Sequence, residues 1–276
     1  MQEVYQQIIS DLQRSVGYLP VSQPYFTQPT KAAAYAMLAR TFLSMGDYRD
    51  ALTSADSALG YDNTLLDYNT VQPAPKLGMP PFNENPEMIV YVAMDLKVIS
   101  PKNAVIDSLL FQSYDSNDLR KACFFSVPPT ENAYGPGFIG TYDGTNASLL
   151  FCGLAVDELF LIRAECYARI GNFQLGMNDL NTLLSHRYKN GTYISRTAVS
   201  SSDALNQILI ERRKELLMRS LRWGDLKRLN SDPNYAVTIT RSYQSQTYTL
   251  SPQSDLYEWP IPNDELQVSN IPQNPR

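Results

Sequence analysis

The residues able to do chemistry are few, and their spacing argues against catalysis. The chain holds one histidine, His186, at the end of a helical segment. Nucleophilic triads and most catalytic zinc sites depend on histidine, so a Ser/His/Asp triad and a His-based metal site are excluded. Cys123, Cys152 and Cys166 are an odd number at no metal-ligand spacing. Cys166 falls on the apolar side of a helix and reads as a buried thiol; whether the other two pair is open. No glycine-rich loop stands at a strand–helix junction to cradle phosphate. Nothing in the sequence calls for a cofactor or a metal.

The carboxylates give a similar answer. Glycoside hydrolysis needs two acids facing each other across a sugar. Glu158 and Glu165 lie seven apart on one helix face with Ile162 and Arg169, which makes a packing face and not a cleft. Glu211 and Glu215 share a helix with Arg212, Arg213, Lys214 and Arg219, where local pairing such as Glu215–Arg219 at i,i+4 is expected. Arg212 falls on the apolar stripe Leu205, Leu209, Leu216, so it needs an acid if buried. The expectation is that Glu158 or Glu165 supplies one, with Arg212 and Arg213 as the cations of a structural ion-pair set. The net charge of −5 and the acids interleaved through the basic run argue against nucleic acid as a partner.

What remains is aromatic surface. The chain has 18 Tyr against 10 Phe and 2 Trp. A flat ring stacks on the apolar face of a sugar, and neighbouring amides or acids bond its hydroxyls. The candidates are Tyr68, Asn69, Phe82, Asn83, Tyr134, Tyr142, Asp143 and Asn146, all in one long irregular stretch.

The elements that must position them are helical hairpins. In Lys31 to Leu59, Ala34, Leu38 and Phe42 recur every four residues. Gly46 suits the left-handed residue ending a helix, and Asp47 caps the next one. Ala51, Leu52, Ala55 and Leu59 line the second helix. A second copy, Leu159 to Leu184, superposes on the first after a slide of 125 residues, putting Gly171 on Gly46, Asn172 on Asp47, Phe173 on Tyr48 and Ala164 on Ala39. This is the tetratricopeptide pattern, whose units must stack to bury their apolar faces. The fold class is therefore mostly α, with tetratricopeptide-like pairs packed with a loop-rich portion containing short strands.

The 276 residues are read as one domain, with helical scaffold at 3–59, 154–187 and 203–229. A loop-rich excursion fills 60–149, and an extended segment closes the chain at 236–276, opening with a hairpin in Ala236 to Leu250 and ending Pro-rich from Tyr257 to Arg276. Within the excursion Met88 to Met94 reads as one strand, and Ala104 to Tyr114 and Asp118 to Phe124 as short helices. Ser202-Asp203 is expected to cap a helix running from Ala204 to about Leu221. The opening helix, residues 3 to 16, starts so close to the first residue that it reads as the middle of something longer. Val4, Ile8 and Leu12 are then partly exposed. No run of 18 apolar residues is present.

Three stretches together resemble the SusD/RagB family of cell-surface nutrient-binding lipoproteins: KAAAYAMLARTFLSMGDYRDAL; Glu158 to Glu165 running on to Gly171; and Glu211-Arg212-Arg213-Lys214-Glu215-Leu216 followed by Arg222-Trp223-Gly224-Asp225-Leu226-Lys227-Arg228. Trp259-Pro260-Ile261-Pro262, Glu265-Leu266 and Gln273-Asn274-Pro275 look like that family's C-terminus. The match resembles the C-terminal half to two-thirds of a family member. The resemblance implies no catalysis. It implies binding of a glycan, or in some members a peptide, at the outer face of an outer membrane, with a SusC-type TonB-dependent transporter as partner. Family members carry a signal peptide and a lipid-bearing Cys; this sequence shows neither, so membrane attachment through a lipid anchor is implied by the resemblance alone. No ligand motif carries over residue by residue. The competing expectations are a tetratricopeptide scaffold that binds protein only and, less compatible with the acids, a glycosidase.

Overall fold

The computed structural model describes residues 2–71, 79–95, 105–126, 136–142, 144 and 149–276. It divides into an N-terminal unit ending at Ser220 and a C-terminal unit, Leu221–Arg276.

The N-terminal unit is a stack of helices interrupted by the excursion. Helices α1 (Gln2–Tyr18), α2 (Lys31–Met45) and α3 (Tyr48–Leu59) precede it. The first hairpin forms for the reasons its sequence gives. Gly46 adopts φ 78° and closes α2, and the Asp47 carboxylate accepts from the Asp50 N–H at 3.2 Å to start α3. Ala34, Leu38 and Phe42 are buried, as are Ala51, Ala55 and Leu59. α1 packs on α2 through Ile9 and Leu12 but leaves Val4 and Ile8 exposed.

The excursion contains β1 (Met88–Val90), β2 (Ala93–Asp95), α4 (Ser108–Gln112), α5 (Arg120–Phe124), β3 (Phe125–Ser126), β4 (Gly137–Phe138), β5 (Leu149–Phe151) and β6 (Leu154–Ala155). The single strand expected at Met88 to Met94 is two. β1 pairs antiparallel with β6 (Met88 opposite Ala155) and β2 with β5 (Met94 opposite Leu150). The ladder breaks between them, where a side chain at Gly153 would meet the Val90 carbonyl. The helix expected from Ala104 is only Ser108–Gln112, started by the Asp107 carboxylate.

The chain then returns with α6 (Val156–Arg169), α7 (Phe173–Ser185) and α8 (Ser201–Glu215). α6 packs directly on α3, so the two hairpins stack as neighbours although the excursion separates them in sequence. Gly171, φ 93°, repeats the role of Gly46, and Arg169 lies over the Tyr48 ring at 4.6 Å, joining the two turns. α8 starts earlier than expected, because Ser200 is the cap, accepting from the Asp203 N–H at 3.2 Å. It also ends earlier, at Glu215. Met218 and Ser220 take left-handed φ of 61° and 62°. That break turns Arg219 away from Glu215 and onto Asp157, so the expected i,i+4 pair does not form.

The C-terminal unit holds α9 (Arg222–Leu229), the hairpin β7 (Ile239–Tyr243) with β8 (Gln246–Leu250), and α10 (Asn263–Ser269). Its closing segment is therefore not wholly extended: Pro262 fixes the backbone at the start of α10, and Asp264 and Glu265 suit its N-terminal turn. Cys123, Cys152 and Cys166 are free thiols, Cys166 fully buried.

Candidate functional site

The excursion is pinned to the helices by charge. Arg187, just past α7, is fully buried and donates to Glu215 at 2.8 Å, to Glu87 at 2.6 Å and to the Leu66 carbonyl at 2.8 Å. Arg120, equally buried, forks onto Asp118 at 2.9 and 2.6 Å and reaches Glu211 at 2.6 Å and Glu215 at 2.8 Å. Lys214 adds Glu211 at 3.0 Å and Asp118 at 3.3 Å, and Arg196 adds Glu211 at 3.0 Å. Carboxylates and cations are matched, which is what makes such burial tolerable. Burial alone would raise the Glu211 carboxyl, but Arg120, Lys214 and Arg196 overcome it and hold it at about 2.

A second buried group lies at the start of α6. Glu158 takes Arg40 at 2.9 and 2.5 Å, with Arg212 at 3.9 Å. Asp157 takes Arg219 at 2.5 Å. Burial pushes the Asp157 carboxyl up, against the pull of Arg219. Glu165 pairs with Arg169 at 3.0 Å, and Arg213 sits at the surface with Asp107 at 3.0 Å. Arg212 thus meets Glu158, but the dominant partner of Glu158 is Arg40, and Arg213 belongs to a different, exposed pair. These acids are committed to ion pairs with the scaffold.

From this frame an aromatic column runs outward. The Arg219 guanidinium lies 4.4 Å from the Tyr142 ring centre and 4.8 Å from that of Phe151. Tyr142 stacks on Phe151 at 5.2 Å, Phe151 on Tyr91 at 6.2 Å, and Tyr91 on Phe82 at 4.2 Å with 17° between the planes. Burial falls along the series: Tyr142 and Phe151 are core, Tyr91 and Phe82 are half-buried, and Asn83 is exposed. The Phe26 carbonyl accepts from the Tyr91 N–H at 2.7 Å.

The sequence candidates therefore separate. Tyr68 is 1% exposed and lies under the Arg187 cation at 4.3 Å; it is a core residue. Tyr142 is also core, its hydroxyl donating to Glu87. A ring sealed on both faces cannot stack on a ligand, so both are corrections. Asn69 ties a turn, donating to Asp67 at 2.8 Å and to the Tyr188 carbonyl at 3.0 Å. Phe82 and Asn83 stay together at the surface. Tyr134, Asp143 and Asn146 lie outside the described residues. Tyr91, missed in the sequence, had the signal of an aromatic following an apolar strand. Glu87, Asp118, Arg120 and Arg187 carried no local signal, because each is explained only by partners far along the chain.

The recesses among the described residues include an open one of about 510 Å3 at the hairpin turns and a groove of about 270 Å3 between α1, α2 and α3, lined by Leu38 and Phe42. Among the described residues, no group of His, Cys, Asp or Glu is arranged to hold a metal, and no helix is long and apolar enough to cross a membrane.

Residues 157–276 match the SusD family, and residues 1–43 match a SusD-like family described as starch-binding and associating with the outer membrane. The chain belongs to the SusD/RagB family. Solved relatives share its helical fold. A SusD superfamily protein from Bacteroides thetaiotaomicron is 20% identical with a TM-score of 0.73, covering 99% of this chain and 66% of its own. A putative sugar binding protein from Bacteroides vulgatus is 21% identical with a TM-score of 0.72, covering 99% and 65%. A SusD-like carbohydrate binding protein from the same organism is 22% identical with a TM-score of 0.69, covering 97% and 64%. The chain thus spans about two-thirds of the length of these SusD relatives. No curated protein matches it.

Proposed function

We propose that this SusD-family chain is a non-catalytic binding protein that captures glycan at the outer face of an outer membrane and passes it to a SusC-type TonB-dependent transporter. Peptide is the alternative cargo, and a lipid anchor would hold the protein to the membrane. The observation that carries the reading is the Phe82–Tyr91 stack, half-buried at 4.2 Å, with exposed Asn83 beside it. Its inner end is locked by Phe151, Tyr142 and Arg219, so its rings are ordered before a ligand arrives, which lowers the cost of binding. The family description as starch-binding and the sugar-binding relatives point to the same ligand class.

Calorimetric titration of a glycan panel into the wild type, Phe82→Ala and Tyr91→Ala tests it, with product analysis of the same mixtures and capture of a barrel partner from outer-membrane extract. Saccharide binding without hydrolysis, weakened by either substitution, supports the proposal. Turnover of a glycan would replace it with an enzyme. The groove between α1, α2 and α3 favours the second reading, a protein-binding scaffold; capture of a partner with no saccharide or peptide bound would select it.

A further inference from the structure

We infer that the charge on Asp157 sets how firmly Arg219 holds the aromatic column, and through it the glycan affinity of the Phe82 surface. The inference rests on the reading of Phe82 and Tyr91 as that surface and adds two positioning residues beneath it. Both are out of a ligand's reach: Asp157 is fully buried and Arg219 is 3% exposed. The Arg219 Nη1 donates to Asp157 at 2.5 Å. Among the described residues its Nε and Nη2 meet no acceptor. Its guanidinium lies against the Tyr142 and Phe151 rings, which attract a desolvated cation but do not neutralise it.

The backbone does not hold Arg219 there by itself. Met218 and Ser220, on either side, take left-handed φ of 61° and 62°, a strained choice for residues with a Cβ. The pair with Asp157 offsets that strain and keeps the guanidinium on the rings. From Phe151 the stack continues to Tyr91 and Phe82, a contiguous packed path of the kind that carries coupling between sites. Without its counter-charge Arg219 loosens, the rings lose order, and a ligand must order them again on binding.

Asp157 is the carboxylate of this cluster best placed to take up a proton. The charged groups that face the pair are Glu87 ahead of β1, Arg187 after α7, Glu215 at the end of α8 and Glu158 on α6. Tyr68 and Tyr142 face it as well, and burial pushes both hydroxyls up, so they stay neutral. Glu215 has Arg120 and Arg187, and Glu158 has Arg40 and Arg212. Glu87 has Arg187, the Tyr142 hydroxyl and the Leu66 N–H. Among the described residues Asp157 has one hydrogen-bonded cation, Arg219, and the Glu158 N–H at 2.7 Å. Burial, helped by Glu87 and Glu215, pushes its carboxyl up to about 7 against the pull of Arg219 and Arg187. Because the folded value lies above the ordinary 3.8, its share of stability is complete below 3.8 and is lost as pH rises towards 7. Ring order and affinity instead grow as Asp157 ionises. The two responses run in opposite directions, which a merely structural role would not give.

The full chain is titrated calorimetrically with soluble gluco-, manno-, galacto- and xylo-oligosaccharides from about pH 5.5 to about pH 8.5, and the free protein is followed by NMR of the Tyr91 and Phe82 ring signals over the same range. Wild-type affinity for at least one saccharide should rise about fivefold or more across the range, and the ring signals should shift with the same midpoint. Asp157→Asn should hold the low-pH affinity and ring signals throughout. Arg219→Gln should also lose the response, and serves as the test where Asp157→Asn does not fold. Other titrating groups are common to all three proteins, so only the difference is read. Melting temperature, compared between wild type and Asp157→Asn, should move against affinity. Binding that Phe82→Ala weakens, with the same pH profile in wild type and both variants, would overturn the control by Asp157 and leave the Phe82 surface standing. Ring signals indifferent to pH would do the same. No binding of any of these saccharides would remove the Phe82 surface as their site, and this inference with it.

Discussion

Arg187 and Glu215 meet at 2.8 Å with neither side chain reaching solvent. Arg187 also bonds Glu87 and the Leu66 carbonyl, so one cation joins the end of α7, the end of α8 and the excursion. Removing it takes a cation from each of two buried carboxylates, Glu87 and Glu215, although Arg120 still reaches Glu215. Arg187→Ala should lose about 3–5 kcal/mol, the usual cost of breaking a buried pair from one side. Arg213→Ala breaks the pair with Asp107, whose side chains are 40% and 34% exposed. There the loss should stay under about 1 kcal/mol, because solvent screens the attraction. Urea midpoints of the two variants should differ accordingly.

The same buried cluster sets an acid limit. Burial opposes the charge on Glu211, yet Arg120, Lys214 and Arg196 hold its carboxyl at about 2 against an ordinary 4.5. Its folded value lies below its unfolded one, so its contribution to stability is complete above pH 4.5 and disappears as pH falls towards 2. The difference corresponds to about 3 kcal/mol. Glu211→Gln keeps the shape and removes the titration. It should be less stable than wild type at pH 7 and lose less on acidification; stability measured from pH 7 to pH 3 checks both.

The helical pairs were legible because their signals are local. Gly46 and Gly171 each mark a left-handed turn, and the apolar residues around them recur at helical spacing. The hairpin near the C-terminus was legible for a similar reason. The candidate site was not. Tyr68 and Tyr142 look the same in sequence as Phe82, and only partners decide which ring is sealed: Arg187 covers Tyr68, while Glu87 and Arg219 close on Tyr142. Arg187 and Glu87 are 100 residues apart. Nor does spacing show that α8 stops at Glu215; the left-handed residues Met218 and Ser220 that redirect Arg219 are not types that announce such a turn.

The close approach of α6 and α7 gives a steric prediction. A side chain at Gly176 would place Cβ 2.6 Å from the Ala164 carbonyl, which is helix backbone and cannot move alone. Gly176→Ala should therefore destabilise by about 1–3 kcal/mol through overpacking. At Gly171 there is open space but φ is 93°, so Gly171→Ala meets backbone strain instead, of about 1–2 kcal/mol. Crystal structures of the two variants would show the helices parted in the first and unmoved in the second.

The aromatic column allows a test that separates its two ends. Tyr142 sits in the core with its hydroxyl on Glu87, so Tyr142→Phe leaves a buried carboxylate oxygen short of a donor. That should cost about 1–3 kcal/mol of stability and leave saccharide affinity unchanged in the folded protein. Phe82 is half-buried at the outer end, where Phe82→Ala forfeits a stack worth about 0.5–1.5 kcal/mol. Its effect on melting should be small, and its effect on affinity should reach about tenfold, or about 1.4 kcal/mol. Phe82→Trp keeps a flat face and should bind at least as well as wild type. Paired melts and calorimetric titrations on these variants check the assignment. Affinity that follows stability across all three would mean the rings support the fold and do not touch the sugar.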